Sequence, residues 1–230
     1  MVDPEKKAFV GSSADPAYIR ESCDDSLRRL DTDVIDLFQF HWGDFHPAGA
    51  PEVSEVLEEL VAAGKIRWYG WSTDHPDRAA AFAGSPHMTA VQLEVNVLRD
   101  APEMIELCET HDWAGLIKRP LSSGLLSGKY DADSKFPEDD GRRSWDLGAP
   151  GASELLAAVG GLRPMLTVGG RTMAEGAIAW VLARSDWLIP IPGFKTVEQV
   201  EVNAGVLARG PLTPEEAAAA RAVVHRQPAR

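Results

Sequence analysis

The chain has 230 residues, room for one large domain or two small ones, and its 44% apolar and 25% charged residues fit a soluble globular protein. A formal net charge of -12 argues against nucleic acid and anionic membrane as partners, and no apolar run reaches membrane-spanning length. Cys23 and Cys108 fall in helix patterns without a C-x-x-C spacing, so buried thiols in a reducing compartment are expected, and with no signal-peptide pattern the expected location is cytoplasmic.

Residues 1–14 read as loop. Asp15 and Pro16 then make a helix start, with Asp as N-cap and Pro in the first turn, and Ile19, Cys23, Leu27 and Leu30 follow at helical spacing. Residues 34–40, V-I-D-L-F-Q-F, form a strand that runs straight into His41. After a loop at 43–51, Val53, Val56, Leu57, Leu60 and Val61 line a second helix, which Gly64 stops in a left-handed conformation. Residues 67–72 are the second strand, in which Gly70 signals a close backbone approach. Pro76 starts a short helix to Phe82; residues 90–96 are the third strand; Asp100 caps a helix carrying Met104, Ile105 and Cys108; residues 114–117 are a short fourth strand. Residues 118–151 are a long irregular stretch rich in Gly, Pro and Asp, of a length usually functional or disordered. Helices follow over 152–162 and 172–183, the latter opening with a Thr172/Glu175 capping box. Residues 188–192 are the fifth strand, and Thr196/Gln199 and Thr213/Glu216 open two further helices.

Strands alternating with helices imply an α/β fold with a parallel sheet. A (β/α)8 barrel needs eight strands, whereas five are found, and residues 1–14 cannot supply three more. Either the sheet is a smaller open one, or the chain begins partway round a barrel. Each strand ends in polar groups at the same edge: His41; Ser72, Thr73 and Asp74; Gln92, Glu94 and Asn96; Lys118 and Arg119; Gly193, Phe194 and Lys195. Any one of these could be an ordinary strand exit or helix cap, but their succession favours a functional rim. Gln92 offers an amide that both donates and accepts, as a carboxamide ligand requires. Lys118, Arg119 and Lys195 are suited to phosphate groups, and the strand running through Gly193 into a helix start offers backbone N–H groups to an anion. Lys129 and Lys135 read as solvated surface. Residues 124–129, G-L-L-S-G-K, lack phosphate-loop spacing. His41, Asp44 and His46 lack a third strong metal ligand, so no metal is expected, and Glu94 with Asp74 is a minor alternative as a glycosidase carboxylate pair.

The segments S-L-R-R-L-D-T-D-V-I-D-L-F-Q-F-H, L-E-E-L-V-A-A-G-K-I-R-W-Y-G-W-S-T-D, A-V-Q-L-E-V-N, R-P-L-S-S-G-L-L-S-G-K-Y and I-P-I-P-G-F-K-T-V-E-Q-V-E-V-N-A-G carry a resemblance that runs from about residue 12 to 207. They resemble an aldo-keto reductase of the bacterial type. The resemblance implies a TIM (β/α)8-barrel fold, here incomplete, NADPH as cofactor and a small-molecule carbonyl substrate reduced to an alcohol. It makes His41 the active-site histidine that orients and polarises the carbonyl. Ser72, Thr73 and Gln92 would hold the nicotinamide carboxamide, with Thr73 replacing the family's usual Asn. Arg119, Leu121 and Ser123 would lie along the pyrophosphate; Lys195 would meet the 2′-phosphate, with Gln199 and Asn203 near the adenine. Lys118 stands where many members stack a Tyr on the nicotinamide, and Val202 where an adenine-binding Glu is common.

The family's catalytic Asp, Tyr and Lys lie on its opening strands, in segments absent here: Tyr18, Tyr69 and Tyr130 all stand in other contexts. The expectation is therefore a single, N-terminally truncated barrel domain over residues 1–230. The resemblance makes it an NADP-dependent reductase whose activity as an isolated chain is impaired. The alternative is a degenerate, non-catalytic protein that binds NADP weakly or acts as an interaction partner.

Overall fold

Asp15 opens the first helix as expected: its Oδ1 accepts from the backbone N–H of Ala17 and Tyr18, and Pro16 occupies the first turn of α1, Pro16–Leu30. The computed structural model describes residues 2, 3, 8, 9 and 11–225. Ahead of α1, where loop was expected throughout, β1 (Val2–Asp3) and β2 (Ala8–Phe9) pair antiparallel. Two-residue strands are too short to carry a periodicity signal. Ile19 and Cys23 are buried, but Leu30, in the last turn of α1, is exposed, so the apolar stripe is shorter than expected.

Each remaining strand feeds a helix. They are β3 (Ile35–Phe40), α2 (Ala50–Ala62), β4 (Ile66–Ser72), α3 (Pro76–Ala80), β5 (Met88–Glu94), α4 (Pro102–His111) and β6 (Ala114–Lys118), then α5 (Pro150–Leu166), α6 (Met173–Leu182), β7 (Leu188–Pro190), α7 (Val197–Arg209) and α8 (Pro214–His225). The five later strands form one sheet in chain order, β3-β4-β5-β6-β7. β3 pairs parallel to β4 with Ile35 opposite Ile66 and Phe40 opposite Trp71; β4 pairs parallel to β5 with Ser72 opposite Gln92. The five strands of this sheet and the α/β alternation agree with the sequence; β1 and β2 are additional.

Boundaries differ for local reasons. The loop expected at 43–51 is cut short because the His46 side chain caps a 3-10 turn, Pro47–Gly49, that leads into α2. Asp100 accepts from the neighbouring Ala101 N–H, and its carboxylate also receives Arg184 and Arg221. β7 ends at Pro190, although Ile191 N–H still donates to Ile117 C=O.

The chain divides into two compact units. One comprises Met1–Leu93 with Pro102–Leu116; the other comprises Glu94–Ala101 with Ile117–Arg230. In the first, Leu57, Ile66, Tyr69, Trp71, Phe82, Leu93 and Met104 are fully buried. In the second, Ile117, Leu126, Leu162, Leu166 and Trp180 are. Each such aliphatic side chain contributes about 1.5–3 kcal/mol. Helix α6 is buried along nearly its whole length, and its capping box forms in full: Thr172 Oγ1 accepts from Glu175 N–H while Glu175 Oε2 accepts from Thr172 N–H. Cys23 and Cys108 are both buried and free; burial pushes the Cys108 thiol up to about 11.

Candidate functional site

In the first unit, His41 follows the last residue of β3 and is exposed. The loop after it is held from β4 and beyond. Trp71 Nε1–H donates to Trp42 C=O at 3.0 Å, and Phe45 packs against Phe40, Trp42 and Trp71. Thr73 Oγ1–H donates to Gly43 C=O at 2.9 Å, and Arg78 Nη1 donates to the same carbonyl at 2.7 Å and to Asp44 Oδ1 at 2.9 Å. His41 therefore stands at the mouth of a loop fastened by hydrogen bonds and ring contacts. Asp44 also lies 3.4 Å from His75 Nε2, and His46 Nδ1 accepts from Ala48 N–H, so both groups serve the loop.

Ser72 and Gln92 meet across the β4–β5 pair: Ser72 Oγ–H donates to Gln92 Oε1 at 3.4 Å. This bond leaves the Gln92 NH2 as the donor end of the pair. Thr73 is fully buried, and its hydroxyl also accepts from His75 N–H, so its side chain fastens the Gly43 loop. Behind them, Gly70 is required by packing: a Cβ there would lie 2.3 Å from Ala90 C=O and 2.6 Å from Gln39 Nε2. Gln39 sits two residues before His41, and both its amide atoms are buried without a partner among the described residues. No sequence signal beyond an amide in an apolar strand marked it.

In the second unit, Lys118, half-buried, ends β6, and the turn after it is strained: Arg119, Ser122 and Ser123 have φ of +52°, +46° and +54°, a region non-glycine residues rarely adopt. Leu121, half-buried, accepts through its carbonyl from Gly124 and Leu126 N–H. Arg119 Nη1 donates to Glu94 Oε2 at 3.2 Å, as does Arg99 Nη1, while Asn96 Nδ2 donates to Arg119 C=O at 3.2 Å.

The long irregular stretch connects this turn to Lys195. Arg142 Nη1 donates to Ser123 C=O at 3.0 Å and to Tyr130 Oη at 2.6 Å. Its Nε and Nη2 form a bidentate pair with Asp140 at 2.8 and 2.7 Å. Lys195 Nζ donates to Asp140 Oδ2 at 3.1 Å. These bonds to Arg142, and then to Lys195, hold the Asp140 carboxyl far below the usual carboxylate range. Gly193 is exposed, with open space around it. Lys195 N–H, one of the backbone donors expected to meet an anion, is taken by Gln199 Oε1 at 2.6 Å, while Gln199 N–H donates to Thr196 Oγ1. One turn further along α7, Asn203 Nδ2 is buried without a partner among the described residues.

The profile of the Aldo/keto reductase family matches residues 5–225, nearly the whole chain. The chain belongs to this family. It is 34% identical over 219 residues to "Aldo-keto reductase str7" of Strobilurus tenacellus, covering 92% of this chain and 64% of that protein. It is 31% identical over 206 residues to "Aldo-keto reductase yakc [NADP(+)]" of Schizosaccharomyces pombe, covering 84% and 58%. The chain thus spans less than two thirds of the length of these curated relatives. Its structure superposes with a TM-score of 0.85 and 30% identity on the glycerol dehydrogenase AKR11B4 from Gluconobacter oxydans, over 100% of this chain and 71% of the other. The parallel five-stranded α/β sheet is therefore the corresponding part of an aldo-keto reductase barrel.

Among the described residues, no helix is long and apolar enough to cross a membrane, and no three His, Cys, Asp or Glu side chains are grouped to hold a metal.

Proposed function

We propose that this chain carries the NADP-binding and carbonyl-orienting part of an oxidoreductase that reduces aldehydes or ketones to alcohols. The observation that carries this reading lies in the second unit: the Arg142 and Lys195 cations, which converge on Asp140 next to the Ser123 turn, and the unpartnered Asn203 amide one turn beyond Gln199. Phosphate groups suit the first, and a purine edge suits the second. The name of the yeast relative, which specifies NADP(+), supports the same cofactor.

When bound, the nicotinamide supplies the hydride. In the first unit, Ser72 and Gln92 would hold its carboxamide, Gln92 through its NH2, and His41, at the head of the loop that Trp71 and Thr73 fasten, would donate to the carbonyl oxygen. In the second unit, Lys118, Arg119, Leu121, Ser123 and Gly193 would hold the pyrophosphate side of the cofactor, Lys195 would meet the 2′-phosphate in place of Asp140, and Asn203 would donate to the adenine, with Gln199 holding the Lys195 backbone.

The tyrosines favour binding over turnover in this chain taken by itself. Tyr69 is fully buried and donates to Glu58 Oε1, Tyr130 is bound by Arg142, and Tyr18 lies on α1. General acid catalysis is typically worth about 10²–10⁴-fold, so the purified chain is expected to bind NADPH saturably while reducing test aldehydes at background rate. Fluorescence titration with NADPH reads the first, and NADPH oxidation in the wild type and a His41→Ala control reads the second. Failure to bind NADPH at millimolar concentration would sink the proposal.

A further inference from the structure

Glu94 and Asn96 lie beyond the carboxamide-binding Gln92 in V-Q-L-E-V-N, and the proposed function gives neither a role. Both are buried, and both converge on Arg119. Glu94, with its side chain only 10% exposed, accepts from the Arg119 guanidinium, and Asn96, fully buried, donates to the Arg119 carbonyl. The other end of the Asn96 amide is fixed too: Oδ1 accepts from Leu98 and Arg99 N–H, both at 3.1 Å. The Arg119 carbonyl also accepts from Ser122 N–H at 2.8 Å, which closes the turn whose left-handed residues include Ser122 and Ser123. A left-handed arginine persists only where its surroundings over-determine it. Here the backbone is held by an uncharged amide and the cation by a buried anion. Arg99 shares that anion, so two guanidinium groups face one carboxylate and an excess of positive charge remains for a ligand.

We propose that Glu94 and Asn96 are positioning residues for a pyrophosphate: they act through Arg119, fixing its backbone turn and aiming its guanidinium at the anion. This deepens the proposed function and rests on its NADP-binding reading.

The test uses the full chain with two ligands. NADPH contains the pyrophosphate, whereas adenosine 2′-monophosphate lacks it and engages only the Lys195 side of the site. Glu94→Gln, which keeps the shape of the side chain, is expected to weaken NADPH about tenfold, the scale of one charge-assisted hydrogen bond, and to leave adenosine 2′-monophosphate unchanged. Asn96→Ala should follow the same pattern. In the background of Arg119→Ala, adding Glu94→Gln should cost nothing further, because Glu94 acts through the missing guanidinium. Unchanged NADPH affinity in Glu94→Gln, equal weakening of both ligands, or an additive double variant would each overturn the inference while NADP binding by the wild type stands. A wild type that binds neither ligand overturns the functional reading and this inference together.

Discussion

Lys195 is already an ion-pair partner: its Nζ lies 3.1 Å from Asp140 Oδ2, on a carboxylate that Arg142 holds through two further bonds. A 2′-phosphate bound at Lys195 as proposed would have to displace that carboxylate, which lowers the net gain. Lys195→Ala should therefore weaken NADPH about tenfold, the low end for a charge-assisted phosphate contact, and leave NADH unchanged. Parallel titrations of both cofactors check this. Equal affinity of the wild type for the two would count against assigning Lys195 to the 2′-phosphate.

Gly70→Ala places a methyl group against Ala90 C=O and the Gln39 amide inside a paired strand. Backbone cannot give way cheaply there, so overpacking should cost about 1–3 kcal/mol of stability. Because β4 carries Ser72, proposed to hold the carboxamide, NADPH affinity should fall with it. Chemical denaturation and cofactor titration on the same variant measure both effects, and an unshifted midpoint would show that β4 and β5 separate more easily than their register implies.

Glu58, Tyr69 and His87 form a cluster whose stability depends on pH. Burial and then the Glu58 hydrogen bond push the Tyr69 hydroxyl up to about 12. Burial would raise the Glu58 carboxyl, but hydrogen bonds from Tyr69 and His87 outweigh it and hold the group below its usual value. The raised Tyr69 contributes stability that is complete below the unfolded value near 10 and lost as pH climbs through the folded value near 12, roughly 2–3 kcal/mol in all. The depressed Glu58 contributes above its unfolded value and loses that contribution as pH falls through its folded one. Tyr69→Phe should flatten the alkaline arm of the melting temperature against pH. An identical slope in the variant would place the alkaline transition elsewhere.

The parts legible in sequence were those fixed by neighbours in the chain. The Thr172/Glu175 box, the Asp15 cap and the Gly70 close approach each depend on local geometry or a strand's own pattern, and each formed as read. Gln199 shows the boundary: its position three residues after the Thr196 cap was legible, yet its side chain serves the Lys195 N–H. The Asp140 bridge to Lys195 spans 55 positions, and the Arg142 bond to Ser123 spans 19. Both depend on the path of an irregular stretch that has no periodicity. Glu94 was visible only as a charge at a strand end, because two arginines that define its role lie 5 and 25 positions away.

Strand β3 supplies the last prediction. It is the first strand in the sheet order and pairs with β4 on one side; no described strand pairs with its other side. Its sequence, I-D-L-F-Q-F, contains one charge, Asp36, which is bound to Arg67 on the neighbouring strand. An apolar strand edge with unpaired backbone groups and no proline is a template for another chain. The 24.9 kDa chain should therefore self-associate as its concentration rises. Ile35 N–H donates to Lys65 C=O, so the N–H groups of 35, 37 and 39 face β4 and that of Phe38 faces the unpaired side; a Phe38→Pro variant, which removes that edge donor, should raise the monomer fraction while lowering stability. Size-exclusion chromatography with light scattering across a dilution series reads the mass, and thermal melts of the same samples read the stability. A monomer at every concentration with a sharp melt would mean that this edge is covered in solution, and the self-association argument would fall.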